Sequence, residues 1–229
     1  MNKFAAIIFV LLLSCGAALW FLASDSLNFH IKNQLQSIGS QLSQQKVTVE
    51  NVTVHGYQGT GTITKFVISP TPLSNIATTK ESTLSIAAIN LVIDRDSLKE
   101  DIIIIESITI DGLSAFLHYN ENGNSFKELL ATVQKNIAQF TLKDNSIESP
   151  QQIKITPRFL KVTKITVNSA VLNLIGDKDA AIITKKLPSF ALKSIDNEAG
   201  SPGETIGIKL FEELLIALNN QAALLTKTL

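Results

Sequence analysis

The chain has 229 residues, 45% hydrophobic and 17% charged, and its 20 basic and 20 acidic residues cancel to a formal net charge of +0. That length holds one domain, or one domain and an anchor; neutrality, with Arg95 and Arg158 as the only arginines, removes the electrostatic footprint of a nucleic-acid binder. Cys15 stands alone, which excludes a disulfide framework and a thiolate metal site.

Phe4 to Ala23 is an apolar run without a charge. Twenty helical residues reach about 30 Å, the thickness of a hydrocarbon core. Lys3 precedes the run and Asp25 follows it, so the amino end is expected in the cytoplasm and the rest outside. Residues 1–24 therefore read as a transmembrane anchor, with Trp20 at its outer interface. A cleaved signal fits less well, because Phe21 stands two residues before Ala23. Leu12-Leu13-Ser14-Cys15 resembles a lipobox, but the chain stays apolar from Gly16 to Leu22, where a lipoprotein turns polar.

In residues 25–45, Leu27, Ile31, Leu35, Ile38 and Leu42 recur at three- and four-residue intervals among glutamines and serines. This is the pattern of an amphipathic helix, a stalk or a cover for one end of a sheet. Lys32 and Lys46 are its only lysines, too few for a polybasic headgroup patch.

Residues 46–200 read as a β-rich domain. Val47 and Val49 alternate, then Val52 and Val54 continue on the opposite parity, and that phase change around Asn51 predicts a bulge. Gly56–Gly59 turns into a strand over Thr60–Ser69; Pro70 and Pro72 break it, and Thr71–Lys80 reads as a loop. A strand over Leu84–Ile93 ends in the turn cluster Asp94-Arg95-Asp96-Ser97. The β-branched run Ile102–Ile110 follows. Its even positions Ile102, Ile104, Ile108 and Ile110 are expected to share one face, interrupted by Glu106. Asp111-Gly112 then predicts a hairpin, and Leu113, Ala115, Leu117 and Tyr119 continue in period two. After the loop Asn120–Asn124, Ser125 is expected to cap a helix with Glu128 as its capping-box partner. Phe126, Leu129, Leu130 and Val133 form the apolar face of that helix.

Leu142–Gln152 reads as a connector. Strands are expected over Ile153–Ile155, Phe159–Asn168 and Ala170–Ile175, with a turn at Asn168-Ser169 and a hairpin tip at Gly176–Asp179. Ala180–Lys185 and Leu187–Ser194 follow, with Pro188 marking an edge or a strand start. Asp196–Gly203 reads as a linker. Residues 201–229 close the chain with an amphipathic helix on Leu210, Phe211, Leu214, Leu215, Leu218, Ala222 and Leu225, either capping the sheet or lying on a membrane.

No constellation carries chemistry. His30, His55 and His118 fall in separate elements without metal-ligand spacing, and no Gly-x-Ser-x-Gly elbow occurs. Gly59-Thr60-Gly61 lacks the Gly-Lys-Ser/Thr of a phosphate loop. Counting a calcium loop from His118 leaves Leu129 where a bidentate glutamate belongs. Asp94 and Asp96 read as a solvated turn, and the Asn51-Val52-Thr53 sequon matters only in a eukaryotic secretory protein. No catalytic, metal or cofactor site is expected.

The central stretch resembles the AsmA-like family of bacterial envelope proteins, particularly short single-anchor members. The resemblance rests on the "D-x-x-SL" turn at Asp94–Leu98, on Ile108-Thr109-Ile110-Asp111-Gly112 as an "I-x-I-x-G" strand ending, and on Gly123-Asn124-Ser125 before a helix. Gly59-Thr60-Gly61-Thr62-Ile63 and Leu187-Pro188-Ser189-Phe190 extend it over most of the chain after Val47. Where the family usually has proline and an acidic residue, this chain has Gly112-Leu113 and His118. The resemblance implies a single-pass protein of the bacterial inner membrane with its C-terminal part in the periplasm. It also implies a part in envelope biogenesis or phospholipid handling through an apolar β-groove. Its partners would be membrane lipids or another envelope protein, not nucleic acid, and its lipid-contact residues would be Ile102, Ile104, Ile108 and Ile110. The alternative is a structural or scaffolding protein with a closed core. The expected fold class is α+β: an N-terminal transmembrane helix, then a curved, largely antiparallel sheet with a few amphipathic helices.

Overall fold

The computed structural model describes residues 27–69, 83–120, 123–144, 159–176, 182–193 and 199–226. The Phe4–Ala23 run, the Thr71–Lys80 loop, the Ile153–Ile155 strand and the tip of the Gly176–Asp179 hairpin lie outside these. Among the described residues no helix is long and apolar enough to cross a membrane.

A helix, α1, occupies residues 27–43. It is followed by β1 (Lys46–Thr48), β2 (Asn51–His55), β3 (Thr60–Ser69), β4 (Leu84–Ile93), β5 (Ile102–Asn120) and β6 (Gly123–Asn124). Then come α2 (Ser125–Asp144), β7 (Phe159–Val162), β8 (Ile165–Val167), β9 (Ala170–Gly176), β10 (Ile182–Leu187), β11 (Phe190–Ala191), β12 (Ser201–Pro202) and α3 (Gly203–Thr226). All twelve strands join one strongly curled half-barrel sheet, so the α+β reading holds.

β5 corrects two expectations, the first only in part: most strand pairings are antiparallel, as expected, but the sheet is mixed. β5 is antiparallel to β4 on one side, but on the other it runs parallel to β7, β8 and β9. Between β5 and β7 the chain makes a crossover that includes the 20-residue α2; a parallel return needs a connection of about a dozen residues or more. The second correction is the hairpin at Asp111-Gly112. The strand runs straight through it, with Gly112 at φ +62°. A glycine of positive φ serves a kinked strand as well as a turn. A Cβ there would lie 2.7 Å from the Ala87 Cβ on the neighbouring strand, so the position also demands a small residue.

This kink belongs to the whole sheet. Inward residues of β5 are Ile108 and Ile110 before Gly112, and Leu113, Ala115 and Leu117 after it. At the same level the buried set changes parity in the β1–β2 strand, from Val47 and Val49 to Val52. It changes again from β8 (Ile165, Val167) to β9 (Ala170, Leu172, Leu174). Pairing keeps one offset throughout: Ile108 meets Ile165 below the kink and Leu113 meets Ala170 above it. The parity change expected at Asn51 is therefore one station of a crease crossing the sheet and not the bulge predicted there, because Thr48 with Val67 and Asn51 with Thr64 keep one register. The turn expected at Asn168-Ser169 is another, and Ser169 Oγ accepts the Gly112 N–H at 3.0 Å. On β3 the crease passes through Lys65 at φ 47°, whose ammonium meets the Glu50 carboxylate at 2.9 Å.

α2 and α3 fill the concave face. Phe126, Leu129 and Val133 of α2, and Ile206, Leu214, Leu215, Leu218 and Ala222 of α3, join the inward strand residues in one buried cluster. The α2 cap differs from expectation. Asn124 Oδ1 accepts the Lys127 N–H at 2.8 Å, while Ser125 Oγ accepts the His118 N–H at 3.1 Å. Pairing of Gly123-Asn124 with the end of β5 moves the cap back by one residue.

Candidate lipid-contact site

The four isoleucines singled out in the sequence do not share a face. Ile108 and Ile110 are 2% and 1% exposed, inside the core. Below them Ile105 is the buried residue, so Ile102 and Ile104, alternating with it, project to the convex side. Both are half-buried there. The reason is a bulge at Glu106: Val92 pairs with Ser107 but Ile93 pairs with Ile105, leaving Glu106 unmatched. One extra residue reverses the parity of everything before it. β7 breaks at the same level, with Thr163 N donating to Ile105 O and Ile108 N to Lys164 O, both at 2.9 Å. The sequence signal for this was Glu106 itself, a carboxylate inside an isoleucine run. The apolar wall is thus Ile105, Ile108, Ile110, Leu113, Ala115 and Leu117, of which Ile105 was missed.

That wall faces side chains, not an empty trough. Phe126, Val133, Leu215 and Leu218, all fully buried, pack in the same cluster. α3 is thereby a sheet cover, one of the two roles read from its sequence.

The convex face is held by polar ladders. Thr62 Oγ1 meets Asn90 Oδ1 at 3.2 Å, Asn90 Nδ2 donates to Asp111 Oδ2 at 3.1 Å, and Asn168 Nδ2 donates to Asp111 Oδ1 at 2.9 Å. One Asp carboxylate so joins β4, β5 and the β8–β9 junction. Higher up, Thr184 Oγ1 donates to Asn173 Oδ1 (2.9 Å) and Asn173 Nδ2 to Ser114 Oγ (3.3 Å), which accounts for the buried Asn173.

The two edges are unlike. α1 lies along the β1–β2 edge and binds it through a polar stripe at four-residue intervals, which is one helix face. Asn28 Oδ1 accepts Val54 N–H at 3.1 Å, Lys32 Nζ donates to Glu50 O at 2.8 Å, Gln36 Oε1 accepts Val49 N–H at 2.9 Å, and Ser40 Oγ accepts Val47 N–H at 3.0 Å. The helix comes so close because Gly39 meets Val47; a Cβ there would lie 3.1 Å from it. Of the apolar stripe read from the sequence, Leu42 is buried, Ile31, Leu35 and Ile38 are half-buried and Leu27 is exposed. On the far edge, β10 and β11 carry Lys185, Lys186 and Pro188, which discourage further pairing.

The family-like motifs build turns. Asp94 Oδ1 accepts the Asp96 N–H at 3.0 Å; Ser97 Oγ, buried, donates to Asp94 O at 2.6 Å and accepts from Ile104 N at 2.9 Å. Ser97 thus fastens the turn to β5. Among the described residues no group of three His, Cys, Asp or Glu could hold a metal ion. No protein-family model matches the chain, and no curated protein matches it.

Proposed function

We propose that this chain is a membrane-anchored, non-enzymatic protein of the bacterial envelope, AsmA-like in its strand-and-turn motifs, and that its periplasmic part is a closed-core scaffolding or binding module. The observation that supports the closed-core reading is the burial of the sheet's apolar face under α2 and α3. Phospholipid handling through that face would require both helices to lift away. Exposing Phe126, Leu129, Val133, Leu214, Leu215 and Leu218 at about 1.5–3 kcal/mol each costs on the order of 10 kcal/mol. That is comparable to the folding stability of a whole domain, about 5–15 kcal/mol.

Thiol accessibility tests this in the full chain. With Cys15→Ser as background, Ile110→Cys should react with a hydrophobic maleimide only as fast as the domain unfolds, while Thr109→Cys on the convex face reacts within minutes. Equal, rapid labelling of both would reject the closed core and restore the open groove.

A further inference from the structure

Among the described residues, the two ends of the curled sheet differ in what they leave uncovered. Where β5 finishes and α3 runs out, Ile182 and Leu224 are exposed. At the opposite end, where β2 and β4 finish and β5 and β7 begin, Leu27, Phe29, Tyr57, Val92 and Phe159 are exposed by 51, 65, 79, 41 and 42%.

Contacts already described draw the first four together. Leu27 and Phe29 flank Asn28, which ties α1 to Val54 near the end of β2. β2 runs straight into the Gly56–Gln58 turn that carries Tyr57. Gly59 O, just after that turn, accepts the Ile93 N–H at 2.7 Å, and Thr60 pairs with Val92. Chain continuity identifies what this rim would meet. The uncharged run Phe4–Ala23 ends only three residues before Leu27. Three linking residues span at most about 14 Å, and the interfacial layer on each side of a bilayer's core is itself about 5–8 Å deep.

We propose that this rim is a bilayer-docking surface, with Leu27, Phe29 and Tyr57 in the interfacial layer and Val92 beside them. The opposite end then points away from the membrane. The proposal rests on the anchor reading of residues 1–24. Its chemistry is apolar and aromatic: a tyrosine with an apolar ring and a polar tip suits the headgroup boundary. The charges around the rim are mixed and on balance acidic, Arg95 and Lys99 against Asp94, Asp96, Glu100 and Asp101. The surface therefore takes neutral phospholipid and does not depend on anionic lipid.

Depth measurement on the full chain tests it. In the Cys15→Ser background, Phe29→Cys, Tyr57→Cys, Ile182→Cys and Leu224→Cys are each labelled with the same fluorophore. The chains are reconstituted in phosphatidylcholine vesicles carrying a nitroxide at headgroup depth. Labels at 29 and 57 should lose more than half their fluorescence and labels at 182 and 224 less than a tenth, with no change when a third of the lipid is phosphatidylglycerol. Equal quenching at all four sites, or none at 29 and 57, overturns the docking, as does quenching that requires the anionic lipid. If the protein still floats with carbonate-washed vesicles in those cases, the anchor stands without the docking. Loss of flotation removes the anchor, and the docking falls with it.

Discussion

The concave and convex faces of this sheet are built from the same strands by different forces. Along β5, Ile110 is sealed in the core while its neighbour Asp111 binds Asn90 and Asn168 on the other side. Apolar burial is non-directional and scales with area. Away from the crease, a strand slipped by two residues would still turn isoleucine, leucine and valine inward, so apolar area alone sets register less sharply than directional contacts do. Side-chain hydrogen bonds have fixed length and direction. The Thr62–Asn90–Asp111–Asn168 ladder can form in one register only. The inner face therefore supplies most of the stability, and the outer face supplies much of the uniqueness.

The largest effect should come from placing one charge on each face. Ile110→Lys puts an unpaired ammonium among fully buried side chains and should abolish the cooperative melt, a loss of about 4–5 kcal/mol or more. Ile104→Lys, on the convex side where the stem lies along the surface and the ammonium reaches water, should cost about 1–2 kcal/mol. Thermal denaturation of the detergent-solubilised chain, followed by circular dichroism, separates the two. Equal losses would mean that the Glu106 bulge does not reverse the faces.

The crease comes next. Gly112→Ala forces a Cβ onto a backbone at φ +62° and to within 2.7 Å of Ala87, and should destabilise by about 1–3 kcal/mol. Adding Ala87→Gly relieves the contact but not the dihedral strain, so it should recover only part. Full recovery would show that φ at 112 is unimportant and that the crease is a matter of space alone.

The convex ladder should give the smallest effect. Asn90→Ala, Asp111→Ala and the double variant form a cycle whose coupling is expected at about 0.5–1.5 kcal/mol. The informative reading is hydrogen exchange in β4 and β5. If the ladder sets register, both single variants loosen protection across the two strands beyond what their modest loss of stability explains. Strictly additive losses with unchanged exchange would assign register to the core instead.

Local chemistry was legible wherever one segment decides its own conformation. β3 and β4 occupy the expected Thr60–Ser69 and Leu84–Ile93; β-branched residues suit a pleated surface, and the turn residues at their ends leave few alternatives. The apolar faces of α2 and α3 were legible for the same reason, since a 3.6-residue period is a property of a single helix. The parity change at Asn51 was readable because the valines on both sides of it lie in one short stretch. Of the four isoleucines expected to share a face, Ile108 and Ile110 line the inner wall while Ile102 and Ile104 do not, because a bulge exists only relative to a partner strand.

The sequence by itself determined most of the elements and their amphipathic sides, because these follow from dihedral preference and periodicity along the chain. Tertiary structure decided the rest. Gly112 kinks a strand instead of closing a hairpin because β4 continues past it on one side while β8 and β9 pair with β5 before and after it on the other. β5 takes a parallel neighbour because the connection from β5 to β7, which includes α2, is a crossover and not a hairpin. The apolar face of the sheet became a filled core because α2 and α3 settle onto it. Each of these outcomes depends on which surfaces meet, and residues far apart in sequence compete for that contact with energies larger than any local preference.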